Sequence, residues 1–130
     1  MRESNFQTLF TKWLKEKWQG TGAFELKICK KKSLPFSAVK EHQINALKAV
    51  KDRVHVHKIS DFSPGLKPYD CYSLAMEKAF IAVMFYVPRQ PKGFYLIDVD
   101  DFLELKIDAK RKSFTEDMVS KSYGTNYFKL

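Results

Sequence analysis

The chain has 130 residues, of which 45% are apolar and 15% aromatic, so it can close one hydrophobic core and is too short to favour two. Its 23 lysines and arginines outnumber its 15 acidic residues, and the formal charge of +8 favours a polyanionic partner. Charge alone is equally consistent with lysines that only solubilise the surface.

The cysteines and the apolar runs bound the cellular context. Cys29 and Cys71 have no metal-ligand spacing and cannot build a disulfide framework, which excludes a structural zinc site and fits a reducing compartment. The first residues lack the apolar run of a signal peptide, and the longest apolar run, 79–87, is less than half a membrane span. We therefore expect no membrane association and a cytoplasmic location, in a cell or as the product of a phage or mobile element.

The first third of the chain has clear periodicity. Apolar residues at helical spacing predict an amphipathic helix from residue 3 to about 18. From Ala23 to Cys29 the residues alternate strictly, which predicts a strand whose Glu25 and Lys27 project side by side from one face. A basic loop follows, and Ser37 is predicted to cap a second helix whose apolar stripe is Val39, Ala46, Leu47 and Val50.

The remaining pattern predicts a mixed domain. Strands are expected at 54–59, 69–74, 79–87 and 94–99, with a loop at 60–67, a turn at 88–93 and a short helix at 100–105. The apolar run at 79–87 favours a central strand that is buried on both faces. From Lys106 onward we expect a basic and mostly irregular tail, with one helix after 113–116. The order of elements predicts a single α/β domain over residues 1–130.

Glu25-Leu26-Lys27 is the best candidate for chemistry. A carboxylate and an ammonium on one strand face suit phosphodiester hydrolysis, in which the carboxylate holds Mg²⁺ or Mn²⁺ and the lysine offsets charge on the phosphate. The tripeptide alone is weak support, because Glu-x-Lys is frequent on solvated strand faces.

Three segments together carry a resemblance to a family. The three segments are Phe24-Glu25-Leu26-Lys27, Ser33-Leu34-Pro35-Phe36, and His42-Gln43 with Leu47. Together they resemble the RecU-type Holliday-junction resolvases and their phage relatives. That family belongs to the restriction-endonuclease-like PD-(D/E)xK nucleases. The resemblance covers about residues 23–50. It implies a mixed sheet flanked by helices, a homodimer, and metal-dependent cleavage of DNA, with branched DNA favoured. It also implies that Glu25 and Lys27 belong to the active site and that Gln43 contacts substrate or the attacking water.

The chain departs from the family in the position of one acidic residue. Family members carry a metal-binding Asp shortly before the Glu-x-Lys strand, whereas no Asp lies between Met1 and Glu25. Asp70, which follows Pro68, is the nearest substitute by pattern, and we expect it to reach the site from a neighbouring strand. An Asp that only caps a turn is nearly as good an interpretation. Glu3 is the expected assisting metal ligand, although an acid at a helix N-terminus also favours the helix dipole.

The other candidate residues concern nucleic-acid binding. The residues expected to contact the nucleic-acid backbone are Lys30, Lys31, Lys32, Lys40, His42 and Lys67. Asp98, Asp100 and Asp101 form an acidic cluster, which the end of a strand and a helix N-cap explain better than a cation site does.

Three functions follow from the sequence. The first is a metal-dependent DNA endonuclease. The second is a nucleic-acid-binding module that keeps the nuclease fold without catalysis, which the missing Asp favours. The third is a protein whose basic surface meets an acidic protein partner.

Overall fold

A computed structural model describes residues 1–18, 22–52, 54–60, 70–76, 78–122 and 125–130, and for 54–60 and 70–76 it describes the backbone alone. The helices are α1 Glu3–Lys17, α2 Glu41–Lys51, α3 Val99–Ala109 and α4 Glu116–Ser120, with a 3₁₀ turn at Phe36–Ala38. The strands are β1 Gly22–Cys29, β2 Ser33–Pro35, β3 Val54–Ser60, β4 Asp70–Met76, β5 Lys78–Phe85, β6 Gly93–Asp98, β7 Ser113–Thr115 and β8 Thr125–Lys129.

The main sheet is mixed and has the strand order β1-β5-β6-β8. β1 and β5 run parallel, from the pair Gly22 and Lys78 to the pair Cys29 and Phe85. β6 is antiparallel to both of its neighbours. β5 lies inside the sheet and is buried from Ile81 to Met84, so the prediction of a central strand buried on both faces is confirmed. The predicted class, a mixed sheet flanked by helices, is confirmed with it.

Helix α1 covers one face of the sheet. Its apolar residues Phe6, Phe10 and Trp13 recur at helical spacing and are buried. They pack against every second residue of the strands, a set made up of Phe24, Leu26 and Ile28 of β1, Ala82 and Met84 of β5, and Phe94 and Leu96 of β6. Because strand residues alternate between faces, this packing turns Glu25 and Lys27 to the opposite face.

The opposite face is covered by the other helices. Its core consists of Phe36, Val39 and Leu47, the strand residues Ala79, Ile81, Val83 and Ile97, and the C-terminal residues Val99, Phe102, Phe114 and Val119. α2 lies within the connection between the parallel strands β1 and β5, where a crossover helix is expected. None of the helices within the described ranges is both long and apolar enough to cross a bilayer.

The predicted start of α2 was wrong. Ser37 lies in the 3₁₀ turn, and the helix begins four residues later, at Glu41, with Lys40 as its N-cap residue. The buried side chain of Val39 holds the intervening backbone in an extended conformation, with φ −89° and ψ 103°. Ile44 and Leu47 carry the apolar contact of α2, and Ala46, which was expected in the stripe, is exposed.

The expectation of a mostly irregular tail was also wrong, although the helix expected after 113–116 is present as α4. α3 continues to Ala109 and ends at Lys110, which has the left-handed conformation, φ 50°. β7 pairs with β2 and places Phe114 in the core, and the Thr115 hydroxyl caps α4 by accepting a hydrogen bond from the Met118 N–H. β8 then completes the main sheet beside β6. These elements are three to eleven residues long, so most are too short to show a period in the sequence.

β3 and β4 form a separate antiparallel hairpin, from the pair Val54 and Met76 to the pair Ser60 and Asp70. The two strands predicted at 54–59 and 69–74 are therefore confirmed to within one or two residues. The loop predicted at 60–67 falls almost wholly outside the described part of the chain.

Candidate active site and the groove beside it

Glu25 and Lys27 lie next to each other on β1, as the alternation predicted. The Lys27 Nζ is 3.5 Å from the Glu25 Oε1, and the side chains are 17% exposed for Lys27 and 27% exposed for Glu25. Both charges are therefore half-buried on the face that α2 covers. A pair in such a position can still be reached by a ligand, and the partial exclusion of water strengthens its field.

Gln43 of α2 completes this arrangement. Its Nε2 donates a hydrogen bond to the Glu25 Oε1 at 2.9 Å, and its Oε1 accepts one from the Lys40 N–H, also at 2.9 Å. The amide is thus held at both ends, and reversing it would break both hydrogen bonds. The same side chain caps the helix and orients the carboxylate. We call Glu25, Lys27 and Gln43 the β1 site.

The β1 site supplies one carboxylate, one ammonium and one amide. Mg²⁺ is usually bound by one or two protein carboxylates together with water and substrate phosphates. Within the described ranges no three His, Cys, Asp or Glu side chains lie close enough together to hold a metal ion. Glu25 therefore fits as one metal ligand, and a second protein carboxylate is not among the side chains that the structure describes.

Asp70 and Glu3 are the two other acids that were predicted to join Glu25. Asp70 is the first residue of β4, which pairs with β3 in the hairpin, while the described partner of β1 is β5. The Asp70 side chain lies outside the described part of the chain, so its expected approach to Glu25 stays a prediction. Glu3 is exposed on α1, which packs on the face of the sheet opposite to Glu25, so its expected role as an assisting ligand was wrong.

The residues that were predicted to contact a nucleic-acid backbone flank the β1 site wherever the structure describes them. Lys30, Lys31 and Lys32 are exposed directly after β1. Lys40 and His42 are exposed at the N-terminus of α2, beside Gln43. Lys67 lies outside the described residues.

Sequence reasoning missed a groove on the same side of the molecule. Two clefts of about 470 and 340 Å³ share Phe85, Val87 and Glu116 and so form one depression. The lysines that follow β1 line one end, and Tyr95 and Tyr127 line the other. We call this depression the tyrosine groove. The sequence signal for it was the pair of adjacent aromatic residues Tyr127 and Phe128, in a segment where no strand was expected.

Tyr95 is fixed within this groove. Its hydroxyl donates a hydrogen bond to the Glu116 Oε1 at 3.0 Å. Burial of the ring, followed by that hydrogen bond and the charge of Glu116, raises the pKa of Tyr95 to about 12. The phenol is therefore protonated at neutral pH and acts there as a hydrogen-bond donor.

The acidic cluster at the start of α3 has the structural role that was predicted for it. The Asp98 carboxylate caps the helix by accepting a hydrogen bond from the Asp100 N–H at 2.9 Å. Lys51 of α2 contacts both Asp98 oxygens, at 2.7 and 3.0 Å, and also Asp100. Burial lowers the pKa of Lys51, and the hydrogen bonds to Asp100 and Asp98 outweigh that effect, so that the pKa lies above its usual value. Lys51 offsets part of the negative charge of the cluster and ties α2 to α3.

Comparison of the chain with protein-family models, with curated proteins and with solved structures finds no match.

Proposed function

We propose that this protein is a metal-dependent endonuclease that hydrolyses phosphodiester bonds in DNA, with branched or four-way DNA as the favoured substrate. The observation that carries the proposal is the β1 site, where the Gln43 amide and the Lys27 ammonium converge on one oxygen of Glu25. A carboxylate that is oriented by a fixed amide suits the binding of a divalent metal, and the lysine beside it suits the stabilisation of an anionic transition state.

The residues of the β1 site take separate roles in this proposal. Glu25 binds the divalent metal, Mg²⁺ or Mn²⁺, with Asp70 proposed as a second ligand. When bound, the metal polarises the phosphate and lowers the pKa of a water molecule. Lys27 stabilises the negative charge that builds on the phosphate oxygens. Gln43 holds Glu25 in one orientation and lies where it can contact substrate.

Charge supports a nucleic-acid substrate. The net charge of +8 favours a polyanion, and the exposed Lys30, Lys31, Lys32 and Lys40 lie on both chain segments that flank the β1 site. A four-way junction offers two equivalent strands for cutting, so the proposal includes a homodimer with one site for each strand.

A second function is favoured by one specific observation. The described side chains give the β1 site a single carboxylate, and a nucleic-acid-binding module that keeps this fold without catalysis needs no more than that. This alternative shares the basic surface and differs in the absence of cleavage.

Metal removal separates the two functions. The wild-type protein is incubated with labelled linear, flapped and four-way DNA in Mg²⁺, in Mn²⁺ and in EDTA. We expect cutting in both metals, with branched DNA preferred, and none in EDTA. Salt-dependent binding of all three DNAs without cutting in either metal would overturn the nuclease and leave the binding module.

Gln43 offers a test of how Glu25 is oriented. Gln43→Glu keeps an acceptor for the Lys40 N–H but replaces the donor to Glu25 with a second negative charge. The helix cap survives, but two carboxylates then face each other in a half-buried site, so we expect a lower midpoint of thermal unfolding together with a fall in cleavage of roughly 10- to 100-fold.

The matched control for this variant is Asn45→Asp on the exposed side of the same helix, which adds the same charge away from the β1 site. It is expected to cleave DNA like the wild type. Equal activity of Gln43→Glu and Asn45→Asp would show that the hydrogen bond to Glu25 has no part in the reaction.

A further inference from the structure

The tyrosine groove and the β1 site lie on the same face of the sheet. Strand register places Lys27 opposite Val83, Val83 opposite Tyr95, and Tyr95 opposite Tyr127. These four residues form one row across the sheet. At a strand spacing of about 4.8 Å, the backbone at Tyr127 is roughly 14 Å from that at Lys27. Val83 is fully buried in this row, so a nucleotide chain that extends from the β1 site reaches the groove past Lys30–Lys32, which follow β1 and line the groove.

The Tyr127 ring is exposed but held in place. Its side chain is 48% exposed, and its ring centroid is 4.8 Å from that of Tyr95. It also leans over Gly93, where a Cβ would overlap the Tyr127 phenol and would come within 2.9 Å of the Phe128 carbonyl oxygen. The glycine thus leaves room for the ring. A flat aromatic face that is fixed by its neighbours and open to solvent is suited to stacking.

The groove is lined by charges of both signs. Its basic residues are Lys30, Lys31 and Lys32, its acidic residues are Glu116 and Asp117, and aromatic residues and the exposed Val87 also line it. An acidic peptide would match the lysines through its carboxylates, but its acidic side chains offer no flat ring to Tyr127. A nucleotide chain offers both, since its phosphates can follow the lysines while its bases reach the aromatic residues.

We propose that the tyrosine groove binds an unpaired segment of the nucleic-acid substrate, with phosphates against Lys30–Lys32 and a base stacked on Tyr127. The carboxylate of Glu116 is placed to accept hydrogen bonds from the amino groups of such bases. The inference rests on the proposed function in taking nucleic acid as the ligand. It adds that the substrate has a single-stranded part, as flaps and strand ends do.

Binding in EDTA tests this inference without cleavage. Fluorescence anisotropy is measured with a labelled single-stranded oligonucleotide and with the corresponding duplex, for the wild type, Tyr127→Ala and Tyr127→Phe. We expect Tyr127→Ala to weaken single-strand binding by roughly 5- to 150-fold and duplex binding by no more than about twofold, because the bases of a duplex are already stacked. Tyr127→Phe, which keeps the ring, is expected to bind single strands like the wild type.

The lysines are tested by salt dependence. Lys30→Ala with Lys31→Ala is expected to reduce the slope of log affinity against log salt for single strands by about 1.4, since two phosphate contacts are lost. The matched control is Lys12→Ala with Lys15→Ala, which removes two exposed lysines from α1 on the other face. That control is expected to leave the slope unchanged.

Two results would overturn the inference. One is equal loss of single-strand and duplex binding in Tyr127→Ala, and the other is binding of poly-glutamate at the groove as tightly as DNA. Neither depends on cleavage. If the protein binds single strands through Tyr127 but cuts no DNA in Mg²⁺ or Mn²⁺, the proposed nuclease fails and the groove stands.

Discussion

Glu25→Gln is expected to reduce metal-dependent DNA cleavage by at least about 100-fold while leaving DNA affinity in EDTA within about twofold of the wild type. The amide has the shape of the carboxylate, and its oxygen can still accept the hydrogen bond from the Gln43 Nε2. It has no negative charge with which to ligate a metal or to pair with Lys27. The substitution therefore removes chemistry and keeps packing. Cleavage of flapped or four-way DNA under single-turnover conditions measures the effect.

The stability of this variant can be judged in advance. Partly exposed ion pairs contribute only about 0–1 kcal/mol to folding, and the contact between Lys27 and Glu25 is long, at 3.5 Å. Glu25→Gln should therefore fold, with a midpoint of thermal unfolding close to that of the wild type. Glu104→Gln, which neutralises an exposed acid on α3, is the matched control. If Glu25→Gln cuts DNA as fast as Glu104→Gln, Glu25 is not a metal ligand of a nuclease.

The sequence predicted the part of the β1 site that depends on local geometry. Strict alternation from Ala23 to Cys29 was sufficient to place Glu25 and Lys27 on one face, because period two is a property of a single strand. The apolar run at 79–87 likewise identified β5, since only a strand inside a sheet is apolar on both faces. These inferences needed no knowledge of which segments meet.

Contacts between distant segments could not be predicted from the sequence in the same way. The hydrogen bond from Gln43 to Glu25 joins residues 18 positions apart and depends on the packing of α2 against β1. The groove depends on the pairing of β8 with β6, which places Tyr127 beside Tyr95. Neither contact leaves a periodic signal in the sequence. For the groove the reason is that β8 is a five-residue strand whose partner lies more than 25 residues away. The failed placement of Glu3 has the same cause, since a helix pattern does not state which face of a sheet the helix will cover.

Phe94→Ala is expected to lower the free energy of unfolding by about 3–5 kcal/mol, the largest effect on stability that we predict for a single substitution. Its ring is fully buried at the centre of the face that α1 covers. Ring centroids of Phe10 and Trp13 lie 5.2 and 5.0 Å from it, and those of Phe6 and Phe128 lie at 6.0 and 5.7 Å. Removing the ring leaves a cavity that touches α1 and two strands. The expected loss is a large fraction of the total free energy of unfolding of a typical protein, which is about 5–15 kcal/mol.

Urea unfolding followed by circular dichroism measures the loss of unfolding free energy. Trp13 and Trp18 lie in the same cluster as Phe94, so their fluorescence reports whether α1 loosens before the sheet unfolds. Phe94→Leu, which keeps most of the volume, should cost less than Phe94→Ala, and Val87→Ala at an exposed position should change stability by no more than about 0.5 kcal/mol. A cost for Phe94→Ala as small as that of Val87→Ala would show that α1 does not depend on this contact. Because the β1 site lies on the opposite face, the fraction of Phe94→Ala that remains folded is expected to retain the wild-type affinity for DNA.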